Sequence, residues 1–261
     1  MILLLDLGNT NLYIGIHDNE KIIYDYRTDS DHNRSSDMYA YQINNFLKKH
    51  SINVQDFEGA IISSVIPSLT DSIVKAVKST LDCDCIAVGA GIKTGLPIRI
   101  DNPTELGADL VCDCVGAINK YNSPCIICDL GTANKFLVIN QKNEFIGCVI
   151  SPGIKIAGKA LSTSAAQLID ISYKAPKNVI GKNSSDSLNS GAIYGTISLI
   201  EGLFNRIENE LGCKTTHIIT GGNASLVKDY INDCIYDPHL IFDGLYQIYR
   251  RNVKWTKELE K

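Results

Sequence analysis

The apolar residues of this chain fall into short unbroken runs and into helical stripes, and the two kinds alternate. Residues 2–5 are all apolar and lead into Asp6-Leu7-Gly8. A run this short, closed by a turn signal, predicts a strand buried on both faces. Residues 12–16 form a second β-like stretch and predict a hairpin with the first. Ser36-Asp37 then caps a helix whose Tyr39, Ile43, Phe46 and Leu47 fall at i, i+4, i+7 and i+8. Residues 60–65 read as a buried strand. Pro67 opens a helix with Leu69, Ile73, Ala76 and Val77 on one face, and residues 85–88 read as a short strand. After a loop segment over 89–100, Asn102-Pro103-Thr104-Glu105 carries the cap, the first-position proline and the glutamate of a helix start. Continued as one helix, it sets Glu105, Asp109 and Asp113 on a single face.

The second half repeats this order. Residues 125–128 are apolar and lead into Asp129-Leu130-Gly131-Thr132-Ala133, the counterpart of Asp6-Leu7-Gly8-Asn9-Thr10. A hairpin of residues 136–139 with 145–150 follows, then a turn at Ser151-Pro152-Gly153, a helix to about Leu168, and a polar loop from Gly181. A long helix is predicted over 188–211, a strand over 216–220 ending in Gly221-Gly222, and a helix, a strand and a helix to finish. The pattern is that of an α/β protein with mixed β-sheets flanked by helices. The duplication predicts two domains, 1–117 and 118–261, joined compactly, because no segment near residues 117–124 is rich in Gly and Ser. Gly191, Gly195 and Gly202 each weaken the long helix, so they imply close packing, either within the subunit or against a second helix at a dimer interface.

Composition narrows the function classes. With 44% hydrophobic and 21% charged residues the chain reads as an ordinary globular protein. A net charge of −4 leaves no basic footprint for nucleic acid. The sequence has no apolar run long enough to span a membrane and no basic, apolar leader, so the expected location is cytoplasmic. The nine cysteines include Cys125 and Cys128 inside a strand and the pairs Cys83/Cys85 and Cys112/Cys114, none with a histidine partner at zinc spacing. They read as buried reduced thiols.

An apolar strand that stops at Asp-x-Gly has its own chemistry. The aspartate leaves the strand's carboxyl end, and the glycine lets the backbone pass close to a ligand. The N–H groups and hydroxyls of the turn can hold a phosphate, and the carboxylate a cation. Two such turns in two similar halves point to a duplicated phosphotransferase gripping a polyphosphate.

With Thr220-Gly221-Gly222 after a late strand, the order of turns resembles the acetate and sugar kinase, Hsp70 and actin superfamily. The resemblance implies two duplicated actin-like (ribonuclease H-like) domains. A closer resemblance is to type III pantothenate kinases. It is carried by Asp6 to Thr10, by Lys93-Thr94-Gly95-Leu96-Pro97 through Asp101 to Gly107-Ala108-Asp109, by Asp129 to Ala133, and by Ser151-Pro152-Gly153. Gly181 to Ser184, Ser190-Gly191 and Asp243-Gly244-Leu245 complete it. The resemblance implies ATP-dependent phosphorylation of pantothenate, the first step towards coenzyme A, by a homodimer that needs Mg²⁺ and a monovalent cation, K⁺ or NH₄⁺. It implies nucleotide contacts from Asp6, Leu7, Gly8, Asn9, Thr10, Asn11, Leu12, Tyr13 and Thr132, and a substrate loop at Gly107, Ala108, Asp109 and Leu110. Asp109 matches the general base and Asp129 the monovalent-cation ligand. Ser184, where the family usually has Thr, matches a substrate contact made across the dimer.

Three positions depart from the family's pattern. Leu110 stands for a substrate-binding Arg, Asn134-Lys135 for Thr-Thr, and Gly147-Cys148 for Gly-Gly. Leu110 also lies on the apolar stripe Leu106, Leu110, Cys114, Ile118, which reads as core. Lys135 either compensates for the missing Arg or marks a changed substrate. The departures leave two other readings open, a catalytically altered or regulatory relative and a kinase of another small alcohol.

Overall fold

The computed structural model describes residues 1–164 and 171–259. The chain forms two compact units, one of residues 1–96, 101–120 and 239–261, the other of residues 97–100 and 121–238.

In the first unit, β1 (Ile2–Leu7), β2 (Asn11–His17) and β3 (Ile22–Asp29) make an antiparallel meander. Strands β4 (Gly59–Ser64) and β5 (Cys85–Ala87) extend it in parallel, giving the order β3-β2-β1-β4-β5. Strand parity divides the side chains of β1 between two layers. Leu3, Leu5 and Leu7 face a core built with α1 (Ser36–Lys49) and α2 (Pro67–Leu81), through Tyr39, Ile43, Leu69 and Ile73. Ile2, Leu4 and Asp6 take the opposite face, where α3 (Ala108–Lys120) and α6 (Leu240–Leu259) pack against the sheet and each other. That packing is why α6 belongs to the first unit, whereas a boundary at 117/118 assigns it to the second.

Helices α3 and α6 cross almost backbone to backbone. A Cβ on Gly244 would collide with the carbonyl of Cys112, and one on Gly116 with the carbonyl oxygen of Leu240. Glycine is required at this crossing because any side chain would force the helices apart.

In the second unit, β6 (Cys125–Leu130), β7 (Ala133–Ile139) and β8 (Phe145–Pro152) repeat the antiparallel meander. Strands β9 (Thr216–Thr220) and β10 (Ile235–Tyr236) repeat the parallel extension, in the order β10-β9-β6-β7-β8. Read from the meander edge, the two sheets have one topology. Helix α4 (Ile154–Ser164) follows β8, and its expected end near Leu168 lies outside the described residues.

Helix α5 (Ser184–Leu211) starts four residues before its expected position because Asn183 caps it, accepting from the N–H of Asp186 at 2.8 Å. It stops at Gly212, whose φ of 68° is left-handed. Its Ile193, Ile197, Ile200 and Phe204 pack on Ile126, Cys128, Leu130 and Phe136. Gly191 and Gly195 are exposed and Gly202 half-buried, and among the described residues nothing lies within 4 Å of a built Cβ on any of the three. Packing among the described residues therefore does not explain these three glycines.

Three elements differ from the expected ones. Strand β3 was not anticipated. Pro103–Glu105 is a 3-10 turn closed by Leu106, separate from α3. The penultimate helix is two short 3-10 turns, Ala224–Leu226 and Lys228–Tyr230.

A pair of substitutions separates the two kinds of helical glycine. Gly244→Ala should cost about 1–3 kcal/mol of stability by overpacking the α3–α6 crossing. Gly195→Ala, at an open helical position, should stabilise an isolated subunit by about 1 kcal/mol. Denaturant titration of both variants checks this, and equal effects would remove the distinction.

Candidate active site

In the first unit the polar residues collect where β1 ends. Gly8 donates to the carbonyl of Asn11 at 2.9 Å, closing the β1–β2 turn. Ser30 ties the turn to the end of β3, its hydroxyl donating to the Gly8 carbonyl at 2.6 Å and its N–H to Thr10 at 2.9 Å. Asn11 donates to the Asp29 carboxylate at 3.3 Å. Asn9 and Thr10 are exposed on this pinned turn, whereas the side chains of Leu7 and Leu12 are core. Any ligand contact from those two positions is made by backbone. Tyr13 is buried, with its ring 4.3 Å from that of Phe242, the Arg27 guanidinium 4.2 Å above it, and its hydroxyl donating to Asp25 at 3.1 Å.

Asp25, Arg27 and Ser30 escaped the sequence analysis. The signal was present in the alternation of Tyr24 and Tyr26 with Asp25 and Arg27, a polar edge strand.

Asp6 stands opposite Ser63 of β4 and Tyr13 of β2 in register. Burial pushes the Cys112 thiol well up, and the carboxylates of Asp6, Asp113 and Asp109 raise it further. Asp109 occupies the first turn of α3 and turns back towards the preceding loop. A Cβ on Gly107 would lie 2.5 Å from its Oδ1, so glycine at 107 is a steric condition for this placement.

The three-carboxylate face is not formed. Glu105 is exposed in its 3-10 turn, accepting from Asn102 at 2.9 Å, and Asp113 is buried on α3. Leu110 is buried, 8% exposed, as the apolar stripe on α3 predicts.

In the second unit the turn after β6 is gripped from two sides. Asn223 donates through its backbone to Leu130 at 2.8 Å and through its side chain to Gly131 at 2.9 Å. Gly221, with φ of 89°, lies where any Cβ would strike the Asp129 carboxylate, and Gly153 lies as close to the carbonyls of Gly131 and Thr132. Thr132 is exposed at the tip.

Asp129 and Lys135 are partners in the β6–β7 register, with Nζ 2.7 Å from Oδ2. Asn134 is buried and donates to the Pro152 carbonyl at 3.1 Å, bracing β7 against β8. Ser184 is the exposed first residue of α5. Beside it, Ser151, Ile154, Gly158, Ser187 and Gly191 border a cavity of roughly 380 Å³.

Of the cysteines, Cys112, Cys114, Cys125 and Cys128 are buried as expected, whereas Cys83, Cys85, Cys213 and Cys234 are half-buried and Cys148 is exposed. All nine are free; burial pushes Cys85 and Cys125 up to about 12 and Cys128 well above its ordinary range. Such thiols stay protonated and act as small hydrophobes.

Two sheets of one topology, each ending its first strand in an aspartate and a glycine turn, define the actin-like fold. The fold is shared by an activator of 2-hydroxyisocaproyl-CoA dehydratase from Clostridium difficile, solved with bound ADPNP. That structure superposes with a TM-score of 0.55 at 12% identity over 100% of this chain and 97% of the other. A Campylobacter jejuni protein provisionally labelled a Baf family transcriptional activator reaches 0.61 at 20% identity, over 97% and 99%. At these identities the likeness establishes the fold alone.

Residues 2–206 match the family model of type III pantothenate kinase. A protein of that name from Bacillus cytotoxicus is 37% identical over 253 residues, covering 97% of each chain. The chain belongs to the type III pantothenate kinase family.

Leu110→Arg tests the departure at the substrate loop. An unpaired guanidinium at a buried position should lower stability by about 2–5 kcal/mol. Thermal melting and pantothenate kinetics on the same variant check this. A tighter Michaelis constant at unchanged melting temperature would show that position 110 faces substrate.

Proposed function

We propose that this protein transfers the γ-phosphoryl group of ATP to the primary hydroxyl of pantothenate, giving 4'-phosphopantothenate in the first step of coenzyme A synthesis. The observation that carries the reading is the placement of Asp109. It lies on the first turn of α3, with Gly107 making room for its carboxylate. A primary alcohol is a poor nucleophile, and a carboxylate within reach of it accepts the proton as the phosphoryl group departs. Asp109 is that base.

The backbone N–H groups of the Gly8–Asn11 turn, with the hydroxyl of Thr10, hold phosphate oxygens, and Thr132 does the same on its own turn. Asp6 is a hard oxygen donor at the edge of the phosphate turn, which suits Mg²⁺. The ion, when bound, offsets the charge of the polyphosphate.

The monovalent cation meets a different fit. Asp129 Oδ2 already has an ammonium 2.7 Å away, and a K⁺ ion placed there would sit against a like charge.

The proposed assembly is a homodimer in the cytoplasm, with Ser184 reaching the partner's substrate. The exposed Ile156, Leu161 and Leu199 on α4 and α5, beside the open Gly191 and Gly195, form the apolar face that a second copy would cover. No helix among the described residues is long and apolar enough to cross a membrane.

A coupled ADP-release assay with pantothenate and a panel of other small alcohols tests the activity; release no faster with pantothenate than without it would sink the reading. Asp109→Asn keeps shape but cannot accept a proton, so turnover should fall by about 10²–10⁴ while nucleotide binding persists. More than a third of wild-type turnover in that variant would remove Asp109 as the base. Mixing Ser184→Ala with Asp109→Asn protein should recover activity through one hybrid site if Ser184 acts on the partner. No recovery after proven subunit exchange would place it elsewhere.

A further inference from the structure

In the second unit the cation is part of the chain. Lys135 lies directly across from Asp129 in the antiparallel register of β6 and β7. Parity puts both side chains on one face, because Phe136 and Val138 on β7 and Cys128 and Leu130 on β6 belong to the core under α5. The two charged groups meet at 2.7 Å with side-chain exposures of 18% for Lys135 and 13% for Asp129.

The carboxylate is held in place from its other side. Gly221 approaches Oδ1 so closely that no side chain fits at 221, and Leu130 and Gly131 beyond it are bonded to Asn223. A mostly buried, oriented carboxylate of this kind is stable only with a positive partner, and here that partner is supplied by the next strand.

The partner is chemically apt. A lysine head is a substituted ammonium ion, and NH₄⁺ is one of the two cations that the family resemblance implies. It is a compact charge with three donors on a flexible stem, so it can bond a carboxylate and still present N–H groups to a neighbouring anion.

The first unit shows the contrast. The residue opposite Asp6 in the equivalent β1–β2 register is Tyr13, which carries no charge at neutral pH and is buried against Phe242. Of the two equivalent aspartates, one faces a neutral ring and the other a built-in cation.

We propose that the Lys135 ammonium takes the place of the monovalent cation at Asp129, so that nucleotide binding and phosphoryl transfer in this protein need neither K⁺ nor NH₄⁺. The inference rests on the reading of the Asp129 turn as a phosphate site. It makes Lys135 a positioning residue, acting through Asp129 on the charge around the phosphates. It also removes Lys135 from the candidates for recognising the substrate in place of the missing Arg.

The test reads cation binding directly, with Tl⁺ as the stand-in for K⁺. Thallium-205 NMR and calorimetry of ADP binding, in Na⁺ buffer with and without K⁺, are run on wild type, Lys135→Thr and Lys135→Gln. Each is also run with Asp129→Asn added. Wild type should leave the Tl⁺ signal unshifted and bind ADP with an affinity that K⁺ does not change.

Both lysine variants should bind Tl⁺, lose it when Asp129→Asn is added, and gain about tenfold in ADP affinity on adding K⁺, the ordinary size of a coupling between two sites. Two variants guard against one that fails to fold, and the wild-type arm needs neither. Tl⁺ binding by wild type that vanishes with Asp129→Asn would overturn the proposal. So would lysine variants that bind no Tl⁺ and show no K⁺ response. None of these readouts uses pantothenate, so a failure of the proposed activity would show only in the ADP-release assay.

Discussion

A strand buried on both faces can carry polar chemistry only where it leaves the sheet, and that constraint organises each unit of this protein. Strands β1 and β6 share one burial pattern, four buried residues, a half-buried aspartate and a buried leucine. Inside the strand an aspartate would be desolvated without a partner, at a cost of several kcal/mol. At its carboxyl end the same residue reaches the turn, where backbone N–H groups are not committed to the ladder. Within each unit, other polar residues and glycines are arranged around its turn. Ser30 and Asn223 pin their backbones, and Gly153 and Gly221 let neighbouring segments close on the second of them.

The duplication fixes the frame and leaves the contents to diverge. Both sheets run in the same order, so each aspartate meets a cross-strand neighbour from the following strand. In the first unit that neighbour is Tyr13, held by Phe242 and Arg27; in the second it is Lys135. A substitution at this register position acts on the carboxylate without moving the backbone, because the strand pairing is set by the hydrophobic residues on either side. Charge at the second turn can therefore be supplied by the chain or by solvent ions with no change of fold.

The sheets and main helices were legible because their signals are local. A buried strand closed by Asp-x-Gly, the stripe Tyr39, Ile43, Phe46, Leu47 and the proline at 67 each specify one element, and each element formed. Strand β3 was missed because as an edge strand it alternates tyrosines with charges and lacks an apolar run. The start of α3 was misplaced for another reason. Asn102-Pro103-Thr104-Glu105 has correct capping chemistry, but Gly107 interrupts it, and the turn it begins is a 3-10 turn. Residues far apart in sequence are beyond such local signals. Nothing near Asp129 in the sequence says that Gly221 will press on its carboxylate, and nothing near Cys112 says that Gly244 will meet its carbonyl.

The substrate loop shows how finely adjacent positions divide. Asp109 and Leu110 are neighbours on the first turn of α3, yet one is half-buried and the other is interior. A helix rotates successive side chains by about 100°, so a residue next to a catalytic one is ordinarily turned away from it. Leu110 continues the buried face of Val111, Cys114 and Val115, which seats α3 firmly enough to hold Asp109 where Gly107 lets it turn back. A charged residue at 110 would have to leave that face to reach solvent, loosening the helix that carries Asp109. With leucine there, the first turn of α3 keeps its apolar side seated in the core while Asp109, one position earlier, stays at the half-buried edge.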